Sequence, residues 1–239
     1  MAKPKRPKSY EHGVEHDYVP ETLNGHYFFG LTLDDEQKVF RDAIYDDNND
    51  IIFCDAKAGC GKTLIAVATA KLLVDYGKYD GIVYIVSPVQ EERVGYLPGG
   101  VEEKISPYGA PLYDALAKLD IDPISAISQD SMLEQKYGNG FINCISHVYL
   151  RGCNLENKVI IIEEAQNYYT DELKKTLTRV CDTSKTIVIG HTGQCDLYHS
   201  PEHSGFGAYI EHFKGHEHCA VCELQENHRG WVSSWADQL

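Results

Sequence analysis

Nowhere in the 239 residues does an apolar run approach the ~20 positions that a membrane-spanning helix needs. Positive charge is also scarce: 22 lysines and arginines stand against 36 aspartates and glutamates, a formal net charge of −14. That balance excludes a chain basic over its whole surface and built to coat nucleic acid, though not a local basic stripe. The opening residues, MAKPKRPKSYEHG, are basic, but no apolar signal-peptide core follows them. Internal repeats and low-complexity linkers are missing, so one domain is expected. The eight cysteines are scattered and no secretion signal accompanies them, which points to reduced thiols, a cytoplasmic setting and no disulfide framework.

What is present reads as a globular chain, 43% hydrophobic and 24% charged. Residues 1–30 are polar and aromatic without a clean period and are expected to form an N-terminal arm, partly disordered or irregular. Residues 31–239 form the expected domain. Thr32 is placed to cap a helix with Asp34, Asp35 and Glu36 in its first turn and Val39, Ala43 and Ile44 on its apolar face. Short continuous apolar runs follow at 51–56, 82–87, 159–165, 185–190 and 219–225, with a further strand near 141–147. Such runs suit strands buried on both faces. Helices are expected between them, at about 63–76, 110–119 and 170–180. Strands alternating with helices give an α/β fold, a parallel sheet with helices on both faces. Ligands of such sheets sit at the carboxyl ends of the strands.

One of those ends carries AKAGCGKT (56–63), between a buried strand and a helix. This is the context a phosphate-binding loop requires. Backbone N–H groups of Gly59, Cys60, Gly61 and Lys62 can point inward, and the helix N-terminus adds partial positive charge. Lys62 would reach the outer phosphates of a nucleoside triphosphate, and the Thr63 hydroxyl would bind Mg2+. Ala56 stands where the strict pattern has glycine, a slot that tolerates a small residue. A second end carries Glu163 and Glu164 after four apolar residues. Glu163 suits the metal and Glu164 suits orienting or deprotonating an attacking water. The bland alternative is a pair of solvated acids capping the next helix. A third end carries GHTGQ (190–194), where Gln194 could read a terminal phosphate or be a plain loop residue.

Phosphoryl transfer also calls for a cation on the transferred group. Arg229 and Arg179 are candidates. Arg93 and Arg151 could serve nucleotide or polynucleotide. His212, His216, His218, Cys219 and Cys222 crowd into eleven positions, which allows a zinc site. A strand reading of the same stretch puts Cys219 and Cys222 on opposite faces.

Taken in order, these motifs resemble the phosphate-starvation-inducible PhoH-like ATPases, relatives of the first motor domain of superfamily-one helicases. The resemblance rests on AKAGCGKT, SPVQEERVGYLPGG (87–100), SPYGAPLYDAL (106–116), RGCNL (151–155), EEAQN (163–167), LTRV (177–180) and GHTGQ, and covers about residues 30–230. It implies a single RecA-like P-loop domain that binds and hydrolyses ATP with Mg2+. It implies nucleotide contacts from Gln37, Ala58, Gly59, Cys60, Gly61, Lys62, Thr63 and Leu64, a metal held by Thr63 and Glu163, and catalytic roles for Lys62, Glu163, Glu164, Gln194 and Arg229. It also implies RNA or single-stranded nucleic acid as partner and a homo-oligomer, expected as a hexameric ring. No membrane partner is implied. A single motor domain has a physical motive to assemble, because helicase motors bind ATP between two such domains. The chain departs from the family pattern at Glu163 and His191, where aspartates are usual, at Ser87 for arginine and at Cys60 for threonine. The first two departures favour an alternative, a nucleotide-gated oligomeric binding or scaffold protein with weak or no hydrolysis. A P-loop kinase lacks support, since no lid is evident. Tyr96, Tyr108, Tyr168 and Tyr169 are candidate base stackers.

Overall fold

The structure, a computed structural model, describes residues 19–87, 109–128, 140–195 and 204–236. Arg93, Tyr96, Tyr108 and the motif SPVQEERVGYLPGG beyond Ser87 lie outside them, as do the first 18 residues of the expected arm.

The element order is α1 (Asp35–Tyr45), β1 (Ile51–Ala56), α2 (Lys62–Asp75), β2 (Ile82–Val86), α3 (Ala110–Lys118), α4 (Pro123–Ala126), β3 (Ile142–Ser146), β4 (Val159–Ile162), α5 (Thr170–Leu177), β5 (Lys185–Gly190), α6 (Gly205–Phe213), β6 (Cys219–Leu224) and α7 (Trp231–Ala236). The six strands form one sheet in the order β3-β2-β4-β5-β1-β6, and every pairing is parallel. The α/β architecture with a parallel sheet is therefore as expected. Parallel strands need a crossover at each step, and the intervening helices supply it. The carboxyl ends of β1, β4 and β5 lie side by side, because β5 pairs with both β4 and β1.

The strand pleat sorts the core. In β4, Val159 and Ile161 join the apolar layer under α1, α2 and α3, while Ile160 and Ile162 join the layer under α5 and α6. β1 alternates the same way, Ile52 and Cys54 to the first layer and Phe53 to the second. Covering both faces is what makes these strands read as continuous apolar runs. Residues 19–30 lie against the first layer: Leu23 and Phe28 are buried in it, and the Tyr45 hydroxyl donates to the Pro20 carbonyl at 2.6 Å. Lys185 opens β5 fully buried, its Nζ donating to the carbonyls of Asp46 at 2.7 Å and Asn49 at 2.6 Å. It thereby pins the turn between α1 and β1.

Three local expectations are corrected. The N-cap of α1 is Asp34, not Thr32. Its carboxylate accepts from the Gln37 backbone N–H at 2.7 Å, and the Gln37 side chain reaches back to the Asp34 N–H at 3.3 Å. This reciprocal capping box satisfies two donors that Thr32, two residues upstream, leaves unpaired. The face of α1 turned inward carries Gln37, Phe40, Arg41, Ile44 and Tyr45, while Val39 is 61% exposed. The helix at 170 stops at Leu177, because Leu155 then bridges Val180 and accepts from Cys181.

The inward face of α1 gives a direct test by urea denaturation. Ile44→Ala is expected to cost about 2–5 kcal/mol. Val39→Ala is expected to stay within about 0.5 kcal/mol. A comparable loss in both would contradict this orientation of the helix.

Candidate nucleotide site

Residues 57–61 leave the end of β1 and turn into α2, with Gly59 at φ 82° and Gly61 at φ 81°. Only glycine adopts such angles without strain. At Gly59 space is short as well: a Cβ there would lie 2.7 Å from Asn227 Oδ1 and 3.0 Å from Arg229 Cγ. The chain after β6 is thus folded directly over the loop, and the His228 backbone N–H donates to the Gly59 carbonyl at 3.0 Å. The other side of the loop is held by α1, where Gln37 Nε2 donates to the Cys60 carbonyl at 2.9 Å. His228 Nε2 lies 2.7 Å from Asp34 Oδ2, closing a ring from the α1 cap through the loop after β6 back to residue 59.

This frame borders a cavity of about 350 Å³. It is lined by Gly59, Gly61, Lys62 and Thr63, by Leu33 and Gln37, by Pro111, Asp114 and Lys118 of α3, and by Arg229. The loop's backbone N–H groups and the Lys62 ammonium suit phosphates, and the apolar side chains in the lining suit a base.

Behind the loop the acidic pair closes in. Thr63 Oγ1 donates to Glu163, lying 3.0 and 3.1 Å from its two oxygens, and the Tyr84 hydroxyl donates to Glu163 Oε2 at 2.9 Å. Glu163 is 2% exposed. Burial pushes its pKa up to about 7, and the neighbouring Glu164 adds to the rise, while Lys62, Tyr84 and Thr63 oppose it. A carboxylate so desolvated, with a threonine hydroxyl at its tip, is a fitting place for a divalent cation, whose charge would offset the burial. Glu164 sits at φ 50°, ψ 48°, a left-handed conformation unusual for this residue. Lys62 Nζ is 3.4 Å from its carboxylate, and Gln166 Nε2 donates to the same group.

Gln166, itself buried, has a second bond: its Oε1 accepts from the His191 backbone N–H at 3.0 Å. The loop 191–195 is also tied to β1, since Thr192 donates through its N–H and hydroxyl to Asp55 at 2.9 and 2.5 Å. The side chain that joins the acidic pair to this loop is therefore Gln166. Gln194 is exposed and does not line the cavity.

The structure brings together Gln37, Gly59, Cys60, Gly61, Lys62, Thr63, Glu163, Glu164 and Arg229. Ala58 and Leu64 belong to the loop and the first turn of α2, Leu64 lining the cavity. Arg179 is not brought in: its carbonyl accepts from Leu155 at the amino edge of the sheet, the end away from the loop. Tyr168 is fully buried, with no face free for a base. The His/Cys stretch does not assemble into a zinc site. Cys222 packs in the layer under α1 and α2, and Cys219 packs against the opposite layer. Among the described residues, the one cluster of three His, Cys, Asp or Glu side chains close enough to share an ion is Asp34, Glu226 and His228. Sequence reasoning passed over Tyr84. The signal was a lone hydroxyl-bearing residue in an otherwise aliphatic strand.

A family model described as "PhoH-like protein" matches residues 32–230. The chain is 36% identical over 179 residues to a PhoH-like protein of Mycobacterium leprae, covering 74% of this chain and 45% of that one. It is 34% identical over 179 residues to a PhoH-like protein of Bacillus subtilis, covering 74% and 53%. The chain thus spans about half the length of these curated relatives. Among solved structures, the HK97 bacteriophage large terminase aligns over 84% of this chain and 41% of its own, with a TM-score of 0.54 at 16% identity, a likeness of fold.

The raised pKa of Glu163 predicts a pH-dependent penalty. The folded protein holds this proton more tightly than the unfolded chain does. Stability from it is complete below the ordinary value of 4.5 and is lost as pH rises to about 7. Without nucleotide, Glu163→Gln is expected to be more stable than wild type at pH 8 by up to about 3 kcal/mol. The two should converge toward pH 4.5, as read from urea denaturation across pH. A difference independent of pH would contradict the assignment.

Proposed function

Because the chain belongs to the PhoH-like family, we propose that it binds Mg-ATP in the cavity above α2 and hydrolyses it. The observation that carries this is the meeting of two motifs 100 residues apart: the Thr63 hydroxyl bonds Glu163 while Lys62 pairs with Glu164. The alternative of two solvated acids is disfavoured by the burial of Glu163.

The residues divide the work as follows. Backbone N–H groups of the loop from Gly59 to Lys62 bind the phosphates, and Lys62 exchanges Glu164 for the terminal phosphoryl oxygens. Thr63 and Glu163 hold Mg2+, which supplies charge neutralisation on the phosphates when bound. The Thr63 hydroxyl keeps its proton, directed at Glu163, and an oxygen lone pair would be left for the metal. Glu164, released by Lys62 and still held by Gln166, accepts the proton of the attacking water. Gln37 and Arg229 both line the cavity beside the loop, and Arg229 would reach the phosphates. Gln194 would enter only if loop 191–195 moves inward once nucleotide is bound.

Coupling to RNA or single-stranded nucleic acid is the further part of the proposal, as is a homo-oligomer, expected as a hexameric ring. The motor-like fold supports both, and a neighbouring copy would cover the open side of the cavity. The second reading, a nucleotide-gated assembly protein with little hydrolysis, is favoured by one observation. His191 occupies the position of the usual sensor aspartate, and its Nδ1 is buried without a hydrogen-bond partner.

Phosphate release from Mg-ATP, measured with and without single-stranded RNA and DNA, separates the two. Turnover is expected to disappear in Lys62→Ala. In Glu164→Gln it should fall by about 10²–10⁴-fold with ATP binding retained. Arg229→Ala should also lower it. Bound ATP without turnover in wild type would leave the assembly reading.

A further inference from the structure

Tyr84 takes no part in the steps above, yet it touches the residue at their centre. It lies in β2 between aliphatic neighbours, paired in parallel register with Ile161, two positions before Glu163. Its ring is fully buried in the layer facing α2. A phenol hydroxyl at that depth needs a partner, and Glu163 Oε2 at 2.9 Å is the one the fold supplies. The same carboxylate takes the Thr63 hydroxyl, so its orientation is set by two donors converging from β2 and α2.

The length of Glu163 matters here. An aspartate at this position would withdraw the carboxylate by one methylene, about 1.5 Å. A 2.9 Å hydrogen bond cannot span that added distance, and the Tyr84 hydroxyl would be stranded in an apolar layer. We propose that Tyr84 is a positioning residue for the metal–nucleotide site: it fits the longer Glu163 to the place beside Thr63 where Mg2+ is held, so that the two form one functional unit. The proposal rests on the Mg-ATP reading of the site. It carries a counter-intuitive consequence: Glu163→Asp, which keeps the charge and removes only one methylene, harms this chain so long as Tyr84 is present.

The test is a double-mutant cycle on the full chain: wild type, Tyr84→Phe, Glu163→Asp and the double variant. ATP binding is measured by calorimetry at constant pH, in EDTA and across a Mg2+ titration. Tyr84→Phe is expected to change ATP affinity in EDTA by less than about twofold and to weaken the apparent Mg2+ affinity by about 10–100-fold, as loss of a partner to a metal ligand does. In the Glu163→Asp background the same substitution should cost nothing further. It should also restore part of the thermal stability that Glu163→Asp loses, a readout that holds even if Tyr84→Phe alone folds poorly. Equal weakening with and without Mg2+, or the same penalty in both backgrounds, overturns the proposal. A wild-type chain whose ATP binding ignores Mg2+ overturns the metal reading itself, and is told apart because it appears before any substitution.

Discussion

The buried carboxylate of Glu163 is where the site is assembled. It sits just past β4, accepts the hydroxyl of Thr63 from the first turn of α2, and accepts the hydroxyl of Tyr84 from β2. Three elements that meet nowhere in sequence are tied at one group. Burying a carboxylate in this way is unfavourable unless something answers its charge, and its pKa of about 7 records that tension. A divalent cation held at this carboxylate would relieve the tension. Nucleotide and metal bound there would then stabilise the fold as well.

The sheet makes this meeting possible. Six parallel strands place every carboxyl end on one edge, and the neighbours β4, β5 and β1 bring the acidic pair, loop 191–195 and the phosphate loop alongside one another. Gln166 then links Glu164 to the backbone of His191, and Asp55 links the same loop to the strand that precedes the phosphate loop. A change in the pairing of Lys62 with Glu164 has a short covalent and hydrogen-bonded path to that loop. On the far side, Gln37 and the turn at 227–229 clamp residues 59–60 from two directions.

Much of this was legible in the residues. The runs at 51–56, 159–162 and 185–190 announce doubly buried strands because aliphatic side chains are needed on both faces of a covered parallel sheet. GKT between strand and helix announces the loop because its chemistry is local. What was not legible depends on distant contacts. Val39 appears as apolar as Ile44, and only the packing of α1 on α2 distinguishes them. Asp34 outcompetes Thr32 as cap because Gln37 can reciprocate. Arg179 and Arg229 look alike in sequence, but one lies at the amino edge of the sheet and the other over Gly59. Tyr84 is invisible to any motif, since its partner is 79 residues away.

Whether the cavity above α2 is a Mg-nucleotide site organised by Glu163 can be read from a crystal structure with Mg2+ and a non-hydrolysable ATP analogue. The phosphates are expected on the loop from Gly59 to Lys62, Lys62 moved from Glu164 to the terminal phosphate, and the metal beside Thr63 and Glu163 with Tyr84 still bonded to that carboxylate. Nucleotide bound elsewhere, or bound here with Glu163 turned away from the metal, would contradict it.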